Sequence, residues 1–426
     1  KHDLKVLVDR EGKRLKEYQV DIVNDELIVT DEDGLPFTYN PKSKESQRLQ
    51  ETLFHEKQTI IENCLFGVDI NPNSVKICRL RLWIELLKNA YYKTDVTSSA
   101  VEMLETLPNI DINIKCGNSL IARFGLDADL KEALKKSKLK IEDYKRAVDQ
   151  YRNAESKEQK RDMETLIAEI KTNFRTEINQ NGKEIKELQK LKYEFNVKFD
   201  SAQLFETKLT KAEQKAKKDL ADKIDKIETQ LEEIKSNKIY ENAFEWRFEF
   251  PEVLNDEGDF VGFDVVIGNP PYISNWDLSN SNRDLVNKLE IFYSPFLNGH
   301  WDLFNCFIVL AYKMLKGKGI NSYILPTSFY KEKHSTELRK FFLDNLKIIE
   351  LIDFNQLLVF EDVARQTGVY LTSKDDPNNN YIKLKSNIGY DYKLVSQDFY
   401  KSLKNYAFKS NVSEIDTNIY QKLNLN

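Results

Sequence analysis

Phe263-Asp264-Val265-Val266-Ile267-Gly268-Asn269-Pro270-Pro271-Tyr272 is the stretch on which the reading of the fold turns. Its first five residues, apolar but for Asp264, form a run suited to a strand of parallel sheet, buried on both faces. Neither Pro270 nor Pro271 has an N–H to give to a neighbouring strand. The chain must therefore leave the sheet at its carboxyl edge. Open α/β sheets bind their ligands at that edge.

The corner itself has chemistry. A diproline stiffens the backbone, so the Asn269 side-chain oxygen and the Pro270 carbonyl become two fixed acceptors, with Pro271 holding the turn. An exocyclic amine has two N–H donors to offer such a pair. Accepting both draws electron density toward the nitrogen and turns its lone pair outward, which combines positioning with electrostatic assistance. Tyr272 adds an aromatic face on which a base taken out of a duplex can stack. Read by itself, the tetrapeptide is also compatible with a plain turn, because Asn-Pro is a common turn starter.

Outward from this corner, strands and helices alternate. Upstream, the apolar run 64–70 ends in an acid, Asp69. Asn71 then supplies a helix cap and Pro72 a first helical residue, and an amphipathic stretch follows to about residue 92. A second strand over 110–120 closes with Cys116-Gly117-Asn118-Ser119-Leu120. Taken singly, Asp69 reads as a capping acid and Asn118 as a turn residue. Downstream, 303–315 and 337–343 read as helices, and 319–326, 348–354 and 368–372 as strands. This alternation argues an α/β sheet of the doubly wound kind.

The middle of the chain differs. Between Pro108 and Pro251 there is no proline. Leu209, Ala212, Ala216, Leu220, Ile224, Ile227, Leu231 and Ile234 step by threes and fours. Asn179-Gln180-Asn181-Gly182 reads as the reversal of a long antiparallel helical hairpin. Acids and bases alternate along it, which marks a solvated face rather than a nucleic-acid stripe. The resulting division is 1–63, a hairpin and helix region; 64–126 with 240–375, a discontinuous core; 127–239, a helical insertion; and 376–426, the opening of a region cut short.

Composition narrows the class. Of 426 residues, 41% are hydrophobic and 31% charged, as in a globular protein with a well-solvated helical part. No apolar run approaches the roughly 18 residues that span a bilayer, and the first residues do not read as a secretory leader. The net charge of −5 counts mildly against nucleic acid as a partner but leaves room for a local basic patch. Cys64, Cys78, Cys116 and Cys306 lie far apart, and His2, His55, His300 and His334 are scattered. That pattern predicts no metal site, and reduced, buried thiols in a cytoplasm.

With these motifs assembled, the sequence resembles the amino-methylating DNA methyltransferases, specifically the adenine methylase region of Type IIG restriction-modification enzymes. Asn269-Pro270-Pro271-Tyr272 matches that family's catalytic motif. Phe66-Gly67-Val68-Asp69-Ile70-Asn71-Pro72 is similar to its acidic cofactor motif, and Cys116-Gly117-Asn118-Ser119-Leu120 to the motif that touches the cofactor's adenine. Trp301-Asp302-Leu303-Phe304, Tyr323-Ile324-Leu325-Pro326 with Ser328-Phe329, and Val359-Phe360-Glu361-Asp362-Val363 resemble later motifs, the last bearing on the target base.

The resemblance implies a Rossmann-like methyltransferase sheet that uses S-adenosylmethionine. By it, Asp69 would hold the ribose hydroxyls, Ile70 would pack on the cofactor's adenine, and Asn118 and Ser119 would lie at its edge. Tyr272 and Phe360 would line the pocket of the flipped base, and Asp302 would be structural. The family's glycine-rich first motif is expected upstream of residue 1, and 376–426 would open a target-recognition region. The chain is accordingly read as a fragment of a bacterial or archaeal restriction-modification enzyme, with a central strand missing and further domains elsewhere in the polypeptide. The implied function is methylation of adenine at its amino nitrogen in double-stranded DNA. Two alternatives stay open: a catalytically silent interaction module, and an amino-methyltransferase acting on RNA or on protein glutamine.

Overall fold

A computed structural model describes residues 9, 11–15, 18–24, 26–93, 103–105, 107–126, 139–154, 156–181, 183–200, 210–236, 242–354, 357, 359–360, 365–386, 391–410 and 412. The chain divides into two compact units, residues 1–118 with 143–171, and residues 119–142 with 172–426.

The first unit opens with an antiparallel hairpin of β1 (Gln19–Val23) and β2 (Glu26–Thr30). Beside the reversal Asn24 has φ 52°, a left-handed conformation that asparagine tolerates. Helix α1 (Lys44–Cys64) is capped by Ser43 and buries Leu49 and Leu53 against Val20 and Val29 of the hairpin. Then come β3 (Gly67–Asp69), α2 (Pro72–Leu87), the short strands β4 (Tyr92–Lys93) and β5 (Met103–Leu104), and β6 (Ile114–Cys116). The Asn71 cap and the proline at the helix start are as the sequence predicts.

Two polar side chains register this unit. Asn113, 1% exposed, donates to the carbonyls of Ile61, Glu62 and Leu65, tying the end of α1 to the strand that follows. Arg79 on α2 donates to the carbonyls of Asp111 and Ile114 and so clamps the helix over β6. Two further helices follow, α3 (Ile141–Arg152) and α4 (Lys157–Asn181). Tyr151 and Lys160 meet at the Asp111 carboxylate, 2.5 and 3.1 Å away.

In the second unit, α5 (Lys183–Phe195) packs along α6 (Lys211–Ser236). A Lys192–Glu228 ion pair joins them, and the Lys217 ammonium lies over the rings of Phe195 and Phe199. Gly182 of the reversal expected at 179–182 lies outside the described residues. Helix runs up to Asn181 and resumes at Lys183, and the aromatic and ionic contacts are made further along. Of the apolar steps read from the sequence, Leu220, Ile224, Ile227 and Leu231 are half-buried and Ala212 and Ala216 are exposed, whereas Leu209 and the Ile234 side chain lie outside what is described.

The main sheet is built from β7 (Phe263–Gly268), β8 (Leu315–Pro326), β9 (Lys347–Asp353), β10 (Thr367–Ser373), β11 (Tyr381–Lys385) and β12 (Lys393–Ser396), in the order β12-β11-β9-β10-β8-β7. It is mixed rather than wholly parallel: β7 runs parallel to β8, and β10 antiparallel to both β8 and β9. Strand β11 pairs parallel with β9, so the sheet continues past residue 375, where the sequence suggests that the core ends. Helices α7 (Asn275–Ser281), α8 (Arg283–Phe292) and α9 (Phe304–Met314) lie between β7 and β8, and α10 (Thr336–Asn345) precedes β9.

Two expectations are corrected here. β7 is the edge strand of this sheet, with Val265 58% and Ile267 80% exposed, not a strand buried on both faces. An apolar run reports preference for the strand state, and burial depends on which neighbours pair with it. Cys64, Cys78 and Cys116 are exposed, and Cys306 alone of the four is buried. The α/β sheet expected from the alternation of strands and helices is present, and β10 is the strand that returns antiparallel within it.

The approach to β7 is tight. Gly262 has φ +93°, and a Cβ there would lie 2.5 Å from the Met314 carbonyl oxygen. Gly262→Ala combines backbone strain with a clash against main chain, and is expected to cost about 2 kcal/mol or more. Urea unfolding measures it, and an unchanged midpoint would refute the argument.

Candidate active site

The corner after β7 is built as its prolines require. Gly268 closes the strand opposite Tyr323, and a Cβ on it would come within 3.2 Å of the Tyr323 ring, so only glycine fits without displacement. Asn269 is exposed, and its side chain hydrogen-bonds to no described residue. Pro270 is buried, Pro271 is exposed, and no described group donates to the Pro270 carbonyl. Two acceptors thus sit side by side without partners. Tyr272 is half-buried, and its hydroxyl donates to the Ile324 carbonyl on β8 at 3.2 Å. That bond fixes the ring, and partial desolvation raises the phenol's pKa.

Residues after Tyr272 are stitched to the segment before α9. Leu303 N donates to the Ile273 carbonyl and Asn275 N to the Trp301 carbonyl, each at 2.8 Å, and Ser274 bridges Asp302. Ser274 also caps α7, accepting from Asp277 N at 3.2 Å. Trp301 is buried, its indole N–H donating to Glu290, and Asp302 faces Arg365 at 3.5 Å. Phe360 lies half-buried in the same unit, while Glu361-Asp362-Val363 of that motif fall outside the described residues.

Trp301, Asp302, Phe304 and Ser328, drawn from two separate sequence motifs, come together with Ser274 and His334 around a cleft of about 380 Å³. Sequence reading leaves this cleft unseen. Its wall comes from three segments near residues 274, 300 and 330, and no spacing along the chain announces that they meet.

The residues matched to the cofactor motifs belong mostly to the first unit. Asp69 ends β3, exposed; its Oδ1 accepts from Asn71 N at 2.6 Å, while its other oxygen has no hydrogen-bond partner among the described residues. Asp69 thus shapes the turn, and the helix cap is Asn71, whose Oδ1 accepts from Asn73 N at 2.9 Å. Ile70 is 64% exposed. β3 and β6 are paired in parallel, Gly117 N donates to the Asp69 carbonyl at 3.0 Å, and Asn118 follows, half-buried. An open carboxylate oxygen beside an exposed isoleucine suits a ligand with hydroxyls and a flat apolar face. Ser119 belongs to the second unit, where its carbonyl accepts from the Trp246 indole N–H at 3.0 Å. The structure therefore gathers Asn269, Pro270, Pro271 and Tyr272 at one corner, with Phe360 in the same unit, and Asp69, Ile70 and Asn118 at the carboxyl ends of β3 and β6 in the other.

Comparison with known proteins adds to this geometry. A family model described as Eco57I restriction-modification methylase matches residues 63–360. RM.MjaORFECS2P of Methanocaldococcus jannaschii is 27% identical over 385 residues, covering 82% of this chain and 29% of that protein. The type II restriction enzyme and methyltransferase RM.Eco57I of Escherichia coli is 28% identical over 165 residues, 38% of this chain and 16% of that one. The type II methyltransferase M.HincII of Haemophilus influenzae is 31% identical over 126 residues, 29% of this chain and 25% of that one. The chain thus spans less than a third of the length of each of these relatives.

The geometry of the corner separates its residues by their part in stability. Tyr272→Phe removes a half-buried hydrogen bond and is expected to cost about 1 kcal/mol. Asn269→Ala, at an exposed and unpaired side chain, should stay within about 0.5 kcal/mol of the parent. Paired denaturation curves check both, and a large loss at Asn269 would mean that the side chain holds the loop.

Proposed function

The chain belongs to the Eco57I restriction-modification methylase family, and from that premise we propose that it methylates adenine at the exocyclic amino nitrogen in double-stranded DNA. The observation that carries the proposal is the unpaired Asn269 side chain beside the unengaged Pro270 carbonyl, above an anchored tyrosine ring. Asn269 Oδ1 and the Pro270 oxygen each accept one N–H of the amine. Held in this way, the nitrogen cannot direct its lone pair back into the base's π-system, and it becomes the nucleophile. Tyr272 stacks on the extruded base, with the ring angle set by its bond to Ile324, and Phe360 forms a further wall of the same pocket.

S-adenosylmethionine, when bound, supplies an electrophilic methyl group. Asp69 would accept from its ribose hydroxyls through the oxygen the turn leaves open. Ile70 would cover its adenine, and Asn118 and Ser119 would border it. The amine is itself the nucleophile, so this reading asks for neither a metal nor a covalent enzyme intermediate. Recognition of a specific DNA sequence belongs to the same proposal.

The test is transfer of labelled methyl from S-adenosylmethionine to unmethylated DNA by the full-length protein, followed by digestion to nucleosides. Label in N6-methyladenine is expected, with Asn269→Ala reduced by about a hundredfold or more and Asp69→Ala raising the KM for the cofactor. Full DNA methylation by Asn269→Ala would overturn the assignment. So would label found in RNA or in protein glutamine instead.

A further inference from the structure

The cleft beside the corner is lined by Ser274, Trp276, Asp302, Ser328, Glu332 and His334, with His300 at its mouth, and neither Asn269 nor Tyr272 lines it. Its volume of about 380 Å³ is ample for one nucleobase. It shares the carboxyl edge with the corner. Ser274 lies two residues past Tyr272, and Ser328 lies two residues past the end of β8, the strand parallel to β7.

Several of its groups are prepared and unengaged. Trp276 is 66% exposed at the rim. The His300 and His334 rings stand perpendicular at 5.4 Å, and neither hydrogen-bonds to any described residue. His334 is seated against Gly299, where a Cβ would lie 2.6 Å from Nδ1, and the Gly299 carbonyl is itself held by the Asn275 amide at 2.8 Å. The Ser328 hydroxyl is buried without a partner. Buried hydroxyls ordinarily find one.

This inventory selects a class of ligand. Among the described residues no lysine or arginine lines the cleft to hold a phosphate, Asp302 being already paired with Arg365, and no group of His, Cys, Asp or Glu can hold a metal ion. Carboxylate and imidazole acceptors, a hydroxyl and an open indole face instead suit a planar base carrying an exocyclic amine.

We propose that this cleft is a second nucleobase site, which takes an unstacked base of the DNA strand next to the flipped adenine. The proposal rests on the DNA methylase reading and adds Trp276, His334 and Ser328 as residues that position the substrate. A displaced neighbour of the target would be caught here instead of refilling the gap in the stack.

The experiment is a fluorescence titration of the full chain with a single-stranded deoxycytidine oligonucleotide and with an abasic phosphodiester of the same length. Of the four tryptophans, Trp276 alone is exposed, so quenching reports on the cleft. The base-bearing strand is expected to bind about tenfold or more tightly than the abasic one. Trp276→Ala (followed by anisotropy of a labelled strand) and His334→Ala should each abolish that preference, and Trp276→Phe should retain it. Equal binding of the two strands, or an unchanged preference in both alanine variants, would overturn the proposal. Asn269→Ala should keep the cleft's dependence on Trp276 and His334 while lowering methyl transfer by about a hundredfold or more, so failure of the cleft and failure of the methylase reading are told apart.

Discussion

A proline nitrogen carries no hydrogen, and two such residues in succession at 270 and 271 end the pairing of β7 with β8 at Gly268 and Tyr323. Everything around the corner follows from that break. Leaving the sheet frees the Asn269 amide and the Pro270 carbonyl from any ladder. The tyrosine hydroxyl then recovers a tie to the neighbouring strand through Ile324. Backbone bonds from Ile273 and Asn275 to the segment at 301–303 prevent the loop from swinging. The acceptors are held rigid, although Asn269 is exposed, because rigidity is supplied from below, by main chain.

Elsewhere, buried polar side chains perform the registering that apolar packing cannot. Asn321, 3% exposed, donates to the Val266 carbonyl on one side and accepts from the Tyr370 hydroxyl on the other, so three strands keep a single alignment. Glu245, 2% exposed, accepts from the backbone N–H groups of Arg123 and Phe124 and fixes the segment that carries Ser119. Arg339, fully buried, donates to the carbonyls of Phe329 and Asn405, and burial draws its pKa down to about 10. Removing one partner from such a set leaves a desolvated group behind, which makes each of them sharply position-specific.

Much of this was legible in advance wherever chemistry is local. Pro270-Pro271 dictated the corner, Asn71-Pro72 the helix start, and the apolar steps of α6 from Leu220 to Leu231 its half-buried seam. What escaped was decided by distant partners. Val265 and Ile267 look like core residues, and their exposure follows from β7 standing at the edge. The ring contacts that Lys217 makes with Phe195 and Phe199 join residues that no spacing along the chain links. His300 and His334 were scattered letters until Gly299 allowed one ring to settle beside the other. A sequence reports preferences, and none of these three outcomes is a preference.

The open side of β7 has a material consequence. Its outward row of amide and carbonyl groups, flanked by Val265 and Ile267, is a template onto which another strand can add. The charge at its start is partly spent, since Asp264 is engaged with Lys316 at 2.8 Å. Among the described residues, a strand laid against this border would satisfy those groups and cover Val265 and Ile267 without breaking an existing pair of the sheet.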